Sequence, residues 1–176
     1  PAAPGYPVLS ASGRHYLKEK YMRKTGMFVI AGLLLAPTVQ AGPACQEPTA
    51  VARAFFEATS GDNGFVLDAP QALVSDGFGK ALRGERACQA REQGICNIDW
   101  DPWLDAQDAD IEGPVTYQWK GATADTGMVE IHYAVEKQAF VSRVPMVRQG
   151  KGCWQADDLI SNNGRSLRRI LAQPVP

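Results

Sequence analysis

Six carboxylates fall within fourteen residues: Asp99, Asp101, Asp105, Asp108, Asp110 and Glu112, with Trp100 and Trp103 set among them. Two chemistries suit such a segment. Hard divalent cations want several oxygen ligands. However, Leu104 stands where an EF-hand loop needs glycine, and Trp100, Pro102 and Trp103 interrupt the ligands, so no metal site is expected. The other chemistry is recognition. Tryptophans are large amphipathic anchors at interfaces, and surrounding acids steer a basic partner. On that reading Trp100, Asp101, Trp103, Asp105 and Asp108 make a binding surface. The alternative is a loop that packs onto the fold through its tryptophans, with Asp99 or Asp101 capping a turn before Pro102. The burial of the two tryptophans separates these readings.

A second set of polar residues could serve an apolar cavity, the usual setting of a ligand site. Tyr117, His132 and Asp158 are the candidates, with Tyr133 and Glu130 near them in sequence. Asp158 shares one side of a strand with Trp154 and Ala156, which points it inward. A buried carboxylate there would have a raised pKa and could act as acid or base. Against this, His132 shares its face with Glu130 and Glu136, the pattern of a solvent face. Ser75, Ser142 and Ser166 lack a G-x-S-x-G signature. With no nucleophile motif, metal set or phosphate loop, no catalytic residue and no cofactor are expected.

The four cysteines, Cys45, Cys88, Cys96 and Cys153, all follow residue 41. No C-x-x-C pair exists, and His132 is the single histidine of 42–176, which argues against zinc. Two disulfides in an oxidising compartment are expected instead. Three connectivities are possible. We favour Cys88–Cys96, a short loop across Gly94, and Cys45–Cys153, which ties an early residue to a late strand.

The compartment is written upstream. Met22-Arg23-Lys24-Thr25-Gly26 is a basic start, and Met27–Leu35 is an apolar run that Pro37 breaks. Val39-Gln40-Ala41 then supplies small residues at a cut site. This is the layout of a secretory signal peptide, and nine apolar residues are too few to span a bilayer. The expected organisation is an upstream segment at 1–21, a signal peptide at 22–41 and one domain at 42–176, periplasmic or secreted. The last part holds 13 basic and 18 acidic residues, a net charge of −5. Such a domain has no electrostatic reason to bind nucleic acid or an anionic membrane. Its expected partner is another envelope or secreted protein.

The elements that must position these residues are legible from periodicity. After Pro48, a good first helical residue, Val51, Ala54, Phe55 and Ala58 mark one helix face that Gly61 ends. Residues 71–93 are helical again. Gly77 and Gly79 weaken that stretch, and Ser75 could cap a second helix within it. The period then changes to two. Strands are expected at Val115–Lys120, Met128–Glu136, Phe140–Arg148 and Cys153–Ile160, with Pro145 marking an edge or a bulge. Ser166–Leu171 reads as a short closing helix. Helices followed by an antiparallel meander is an α+β layout.

That layout looks like the cone-shaped fold of nuclear transport factor 2 and ketosteroid isomerase, N-terminal helices packed on a curved antiparallel sheet. The string Gly152-Cys153-Trp154-Gln155-Ala156-Asp157-Asp158 is similar to the glycine-x-Trp-x-x-x-Asp ending common in that superfamily. The string Cys96-Asn97-Ile98-Asp99-Trp100-Asp101-Pro102-Trp103-Leu104-Asp105-Ala106-Gln107-Asp108 resembles the central motif of small exported bacterial proteins with a DUF3828-type domain. The resemblance covers about 47–171. It implies a periplasmic or envelope protein and carries over no catalytic residue. The function it leaves in view is non-enzymatic protein binding, as in an immunity or inhibitor factor. The alternative is a small-ligand binder or isomerase-like enzyme using a cone cavity.

Overall fold

The computed structural model describes residues 45–61, 64–107, 109–149 and 152–174. The expected upstream segment and signal peptide, and Asp108, lie outside the described residues. No helix among the described residues is long and apolar enough to cross a membrane.

Helix α1 spans Pro48–Thr59, with proline in its first turn, and buries Val51, Ala52, Phe55, Phe56 and Thr59 along one side. The second helical stretch is broken. A 3-10 turn covers Gln71–Leu73, Val74 is extended against Ala156, and helix α2 runs Asp76–Glu92. The break is where a capping serine would place it: Ser75 Oγ accepts from the Phe78 N–H at 3.1 Å.

Four strands form one antiparallel meander in the order β1-β2-β3-β4: β1 Ile111–Gly121, β2 Thr126–Val135, β3 Gln138–Gln149 and β4 Cys153–Ala156. The sheet curls like half a barrel with the helices on the N-terminal side, so the α+β architecture on a curved sheet is the one expected. Val129, Ile131, Tyr133 and Val135 of β2 face inward, as their alternation requires.

Two details depart from simple alternation. β1 starts earlier than its apolar pattern suggests, with Ile111 and Glu112 opposite Val135 and Ala134. The register then slips before Thr116, where Gly113 takes a left-handed φ of 71° and Pro114 follows. Pro145 sits inside β3, opposite Met128. Met146 pairs with Ala156 but Arg143 pairs with Ile160, so the facing chain carries one extra residue. That bulge lies opposite the residue with no N–H to give. The Pro145 carbonyl still accepts from Asp157 N–H at 2.8 Å. Helix α3, Leu167–Leu171, closes the chain, capped by Ser166.

Both disulfides have the expected connectivity, Cys45–Cys153 and Cys88–Cys96. The first closes a separation of 108 residues, which in the chain-entropy description stabilises by about 4–5 kcal/mol. The second spans 8 residues and contributes about 2–3 kcal/mol on the same basis.

At the far end of the sheet, Trp119 meets Trp154 edge-on with ring centroids 5.0 Å apart, and the Arg148 guanidinium lies 4.8 Å from the Trp154 ring. The Trp119 ring also lies directly over Gly127, where a Cβ would come within 2.1 Å of it. Gly127→Ala is therefore expected to cost about 1–3 kcal/mol through overpacking. Gly84 stands in open space on α2, and Gly84→Ala should stabilise by about 0.4–1 kcal/mol. Urea midpoints of the two variants should move in opposite directions; a neutral Gly127→Ala would contradict the packing.

Candidate functional site

The Trp/Asp segment is positioned from its N-terminal side by one bond and one carboxylate. The Cys88–Cys96 disulfide folds the chain back at the end of α2, where Gln93 takes a left-handed φ of 50°. One turn earlier on α2, Glu85 is 3% exposed. Its carboxylate accepts from Asn97 N–H (2.8 Å), Asn97 Nδ2 (2.8 Å), Ile98 N–H (3.1 Å) and Gln89 Nε2 (3.2 Å). A buried carboxylate is costly unless its lone pairs are filled, and here four donors fill them. The result pins Asn97 and Ile98 to α2.

Beyond Ile98 the chain makes a tight loop closed between Asp101 and Ala106, with Asp101 N–H donating to Ala106 C=O at 2.9 Å. Asp101 Oδ1 accepts from Trp103 N–H at 2.8 Å, so the aspartate-proline turn forms as its sequence suggests. The loop drives Trp103 into the interior, where it is 0% exposed. Its ring meets Phe56 at 4.9 Å and Phe55 at 5.6 Å, and its indole N–H donates to Thr59 Oγ1 at 3.1 Å. The Tyr133 hydroxyl donates to the Trp103 carbonyl and sits 2.7 Å from Ser142 Oγ. Burial holds the Tyr133 phenol well above its ordinary pKa.

Two members of the expected binding surface are thus turned inward. Trp103 is a core residue, because the space between α1 and β2 needs an aromatic and offers its N–H a partner. Asp105 adopts a φ of 53°, and its side chain, 4% exposed, accepts from Arg165 Nη2 at 2.7 Å and Asn163 N–H at 3.0 Å. The same guanidinium covers the Trp100 ring at 3.8 Å, so one arginine neutralises Asp105 and shields part of Trp100. Trp100 keeps an outer edge. Asp101 is half-buried, and that burial raises its pKa despite the N–H groups of Trp103 and Leu104 that favour its anion.

The three expected pocket residues do not converge. Tyr117 pairs with Ile131 on the inner face, packed on Phe56 at 6.2 Å with the Arg53 guanidinium 4.8 Å from its ring. His132 is on the opposite face of the sheet, 3.9 Å from Glu130, which also meets Arg143 at 3.3 Å. Asp158 lies beyond the end of β4, because the bulge takes it out of the alternation. It anchors α3 by accepting from Ser166 Oγ (2.5 Å), Arg168 N–H (2.8 Å) and its neighbour Leu159 N–H (2.8 Å).

Two open hollows flank the Trp/Asp loop; smaller ones lie beside His132 on β2 and along α1 at Arg53 and Glu57. One hollow of about 600 Å³ has apolar walls from Phe65, Ile95, Ile98 and Trp100, with Gln89 and Asp99 at its edge. A second, of about 580 Å³, is lined by Leu104, Ala109, Asp110, Glu112 and Glu136. Asp101 and Gln107 line both. Of the expected residues, Trp100 and Asp101 reach these two hollows. Phe65, Ile95 and Glu136 were not anticipated. Ile95, between Gly94 and Cys96, is an apolar residue forced outward by the disulfide turn. Glu136 arrives through a two-residue β2–β3 hairpin in which it and Lys137 have φ of 47° and 65°. That turn lacks the usual glycine or asparagine.

Comparison of the chain with family models, with curated proteins and with solved structures finds no match.

Trp103→Ala should lose about 3–5 kcal/mol, the range for emptying an aromatic core site, with Trp103→Phe losing less; urea denaturation measures both. A second expectation concerns acid. The folded chain holds the Asp101 proton more tightly than the unfolded chain, so between the two pKa values the folded state binds more protons and stability falls as pH rises. This contribution is complete below the unfolded carboxylate value and is lost above the folded one. The wild-type protein should therefore gain stability relative to Asp101→Asn as pH drops from neutrality through the carboxylate range. Parallel stability profiles for the two proteins would contradict this.

Proposed function

We propose that this chain is an exported domain of the DUF3828 type, on a fold of the cone-like superfamily, that works by binding another protein through the apolar hollow beside the Trp/Asp loop. The observation that carries the reading is the outward display of Ile95, 66% exposed, beside walls made by Phe65, Ile98 and Trp100. Apolar side chains gathered at an open concavity gain by being covered. The frame behind them is held by the Cys88–Cys96 bond and by Glu85, so little order remains to be imposed on binding. Two disulfides support an oxidising, extracytoplasmic setting, and periplasmic or secreted placement fits the apolar run and cut site upstream. An immunity or inhibitor role is the form of binding that such a small exported domain would take.

A photocrosslinking side chain placed at position 95 tests this in cells exporting the full chain. A discrete adduct should form from position 95 and not from position 118, which sits on the outer face of β1. No adduct, or equal adducts from both positions, would overturn the reading.

A further inference from the structure

The two surface hollows adjoin across the Trp/Asp loop, where Gly61, Asp101 and Gln107 line both, but their chemistry differs. The first is walled by Phe65, Ile95, Ile98 and Trp100. The second is walled on its outer side by Asp110, Glu112 and Glu136, all exposed. Asp99 stands at the rim of the first and Asp101 between the two.

Several other acids are paired with a base: Asp68 with Arg86, Asp105 with Arg165, Asp157 with Arg168 and Glu130 with Arg143. Among the described residues, no basic side chain pairs with Asp99, Asp101, Asp110, Glu112 or Glu136. This crease thus sets an apolar slot beside a wall of acids that no ion pair among the described residues holds, inside a 42–176 segment that is itself acidic.

We infer that the partner enters this crease as an extended basic-apolar segment, seating a large aliphatic or aromatic side chain against Ile95 and Trp100 and Lys or Arg side chains against Asp110, Glu112 and Glu136. This rests on the binding reading above and names the partner's chemistry. Phosphate-bearing partners are repelled by the same carboxylates, which sets nucleic acid and anionic lipid aside. A lone inorganic cation leaves the apolar half unused. An extended peptide fits both halves, because alternate side chains of a strand-like segment project to one side at regular spacing. The charged half governs the rate and salt dependence of encounter, and the apolar half governs residence.

The test uses the oxidised full chain and three fluorescein-labelled octapeptides, one alternating Leu and Arg, one Leu and Glu, one Ser and Arg. Fluorescence anisotropy should show the Leu/Arg peptide binding about tenfold or more tightly than either other peptide, with affinity falling as salt rises. Ile95→Ser and the pair Asp110→Asn with Glu112→Gln should each weaken the Leu/Arg peptide by roughly fivefold or more. All these positions are exposed, and circular dichroism verifies that the variants are folded. Equal binding of the Leu/Arg and Ser/Arg peptides would reduce the interaction to charge alone and overturn the inference. Equal binding of the Leu/Arg and Leu/Glu peptides would overturn it from the other side, as would self-association of the chain that Ile95→Ser abolishes. If no peptide binds while the adduct at position 95 still forms, the partner's chemistry is wrong and the binding reading stands. If both fail, both fall.

Discussion

Trp103 is the point at which three separately built parts of this fold become one. Its ring fills the space against Phe55 and Phe56 of α1, its indole N–H is satisfied by Thr59 of the same helix, and its carbonyl is held by Tyr133 of β2. A buried tryptophan or tyrosine needs a polar partner for its one polar end. Here each supplies that need through the other's neighbourhood: the phenol on the tryptophan's carbonyl and on Ser142, the indole on a threonine whose own hydroxyl donates to Phe55 C=O at 2.6 Å. The arrangement also explains the aspartate at position 101. Driving one side chain inward from a surface loop demands a tight turn, and Asp101 closes it through Trp103 N–H. Its raised pKa is the consequence of being drawn part-way in with the residue it orients.

With Trp103 fixed, the outer half of the loop has few freedoms left. Glu85 and the Cys88–Cys96 bond hold its entry. Arg165 holds its far side by pairing with Asp105 and lying on Trp100. What remains outward is what these constraints do not consume: the edge of Trp100, Ile95 on its disulfide turn, and the acids from Asp110 onward. The hollows are the space beside a loop whose middle has been pulled into the core.

Much of this architecture is visible in the chain before folding. The two helices, the meander and Ser75 as a cap follow from local rules of period and capping chemistry, and the favoured one of three possible cysteine pairings is the one formed. Pro145 announces a disturbance in the sheet, and the bulge opposite it is that disturbance. The site was less legible, for a physical reason. Whether Trp103 or Trp100 turns inward depends on the shape left between α1 and β2, which no local pattern encodes. Asp158 keeps the alternation of a strand in sequence but loses it to a bulge set by a proline on the neighbouring strand. Tyr117 and His132 are separated by the sheet itself, and that separation depends on which residues of β1 and β2 are paired. Glu136 reaches the crease through a left-handed hairpin turn built from two residues that carry no turn signature.

The acidic segment therefore does not act as a unit, although its composition invites that view. Its carboxylates divide by direction. Asp105 faces the protein and pairs with an arginine, while Asp101 is drawn part-way in to close a turn and still lines both hollows. Asp99, Asp110 and Glu112 face solvent. Glu112 does so from within β1, opposite Ala134, which places it near the hairpin that carries Glu136. Strand pairing thus gathers on one side of the loop charges that are distant in sequence, while the disulfide turn gathers apolar groups on the other. A segment evolved only for solubility would gain nothing from this sorting, since dispersed charge serves solubility equally well. Sorting matters most for something that touches both sides at once, and the loop between them, anchored by its buried tryptophan, sets their spacing.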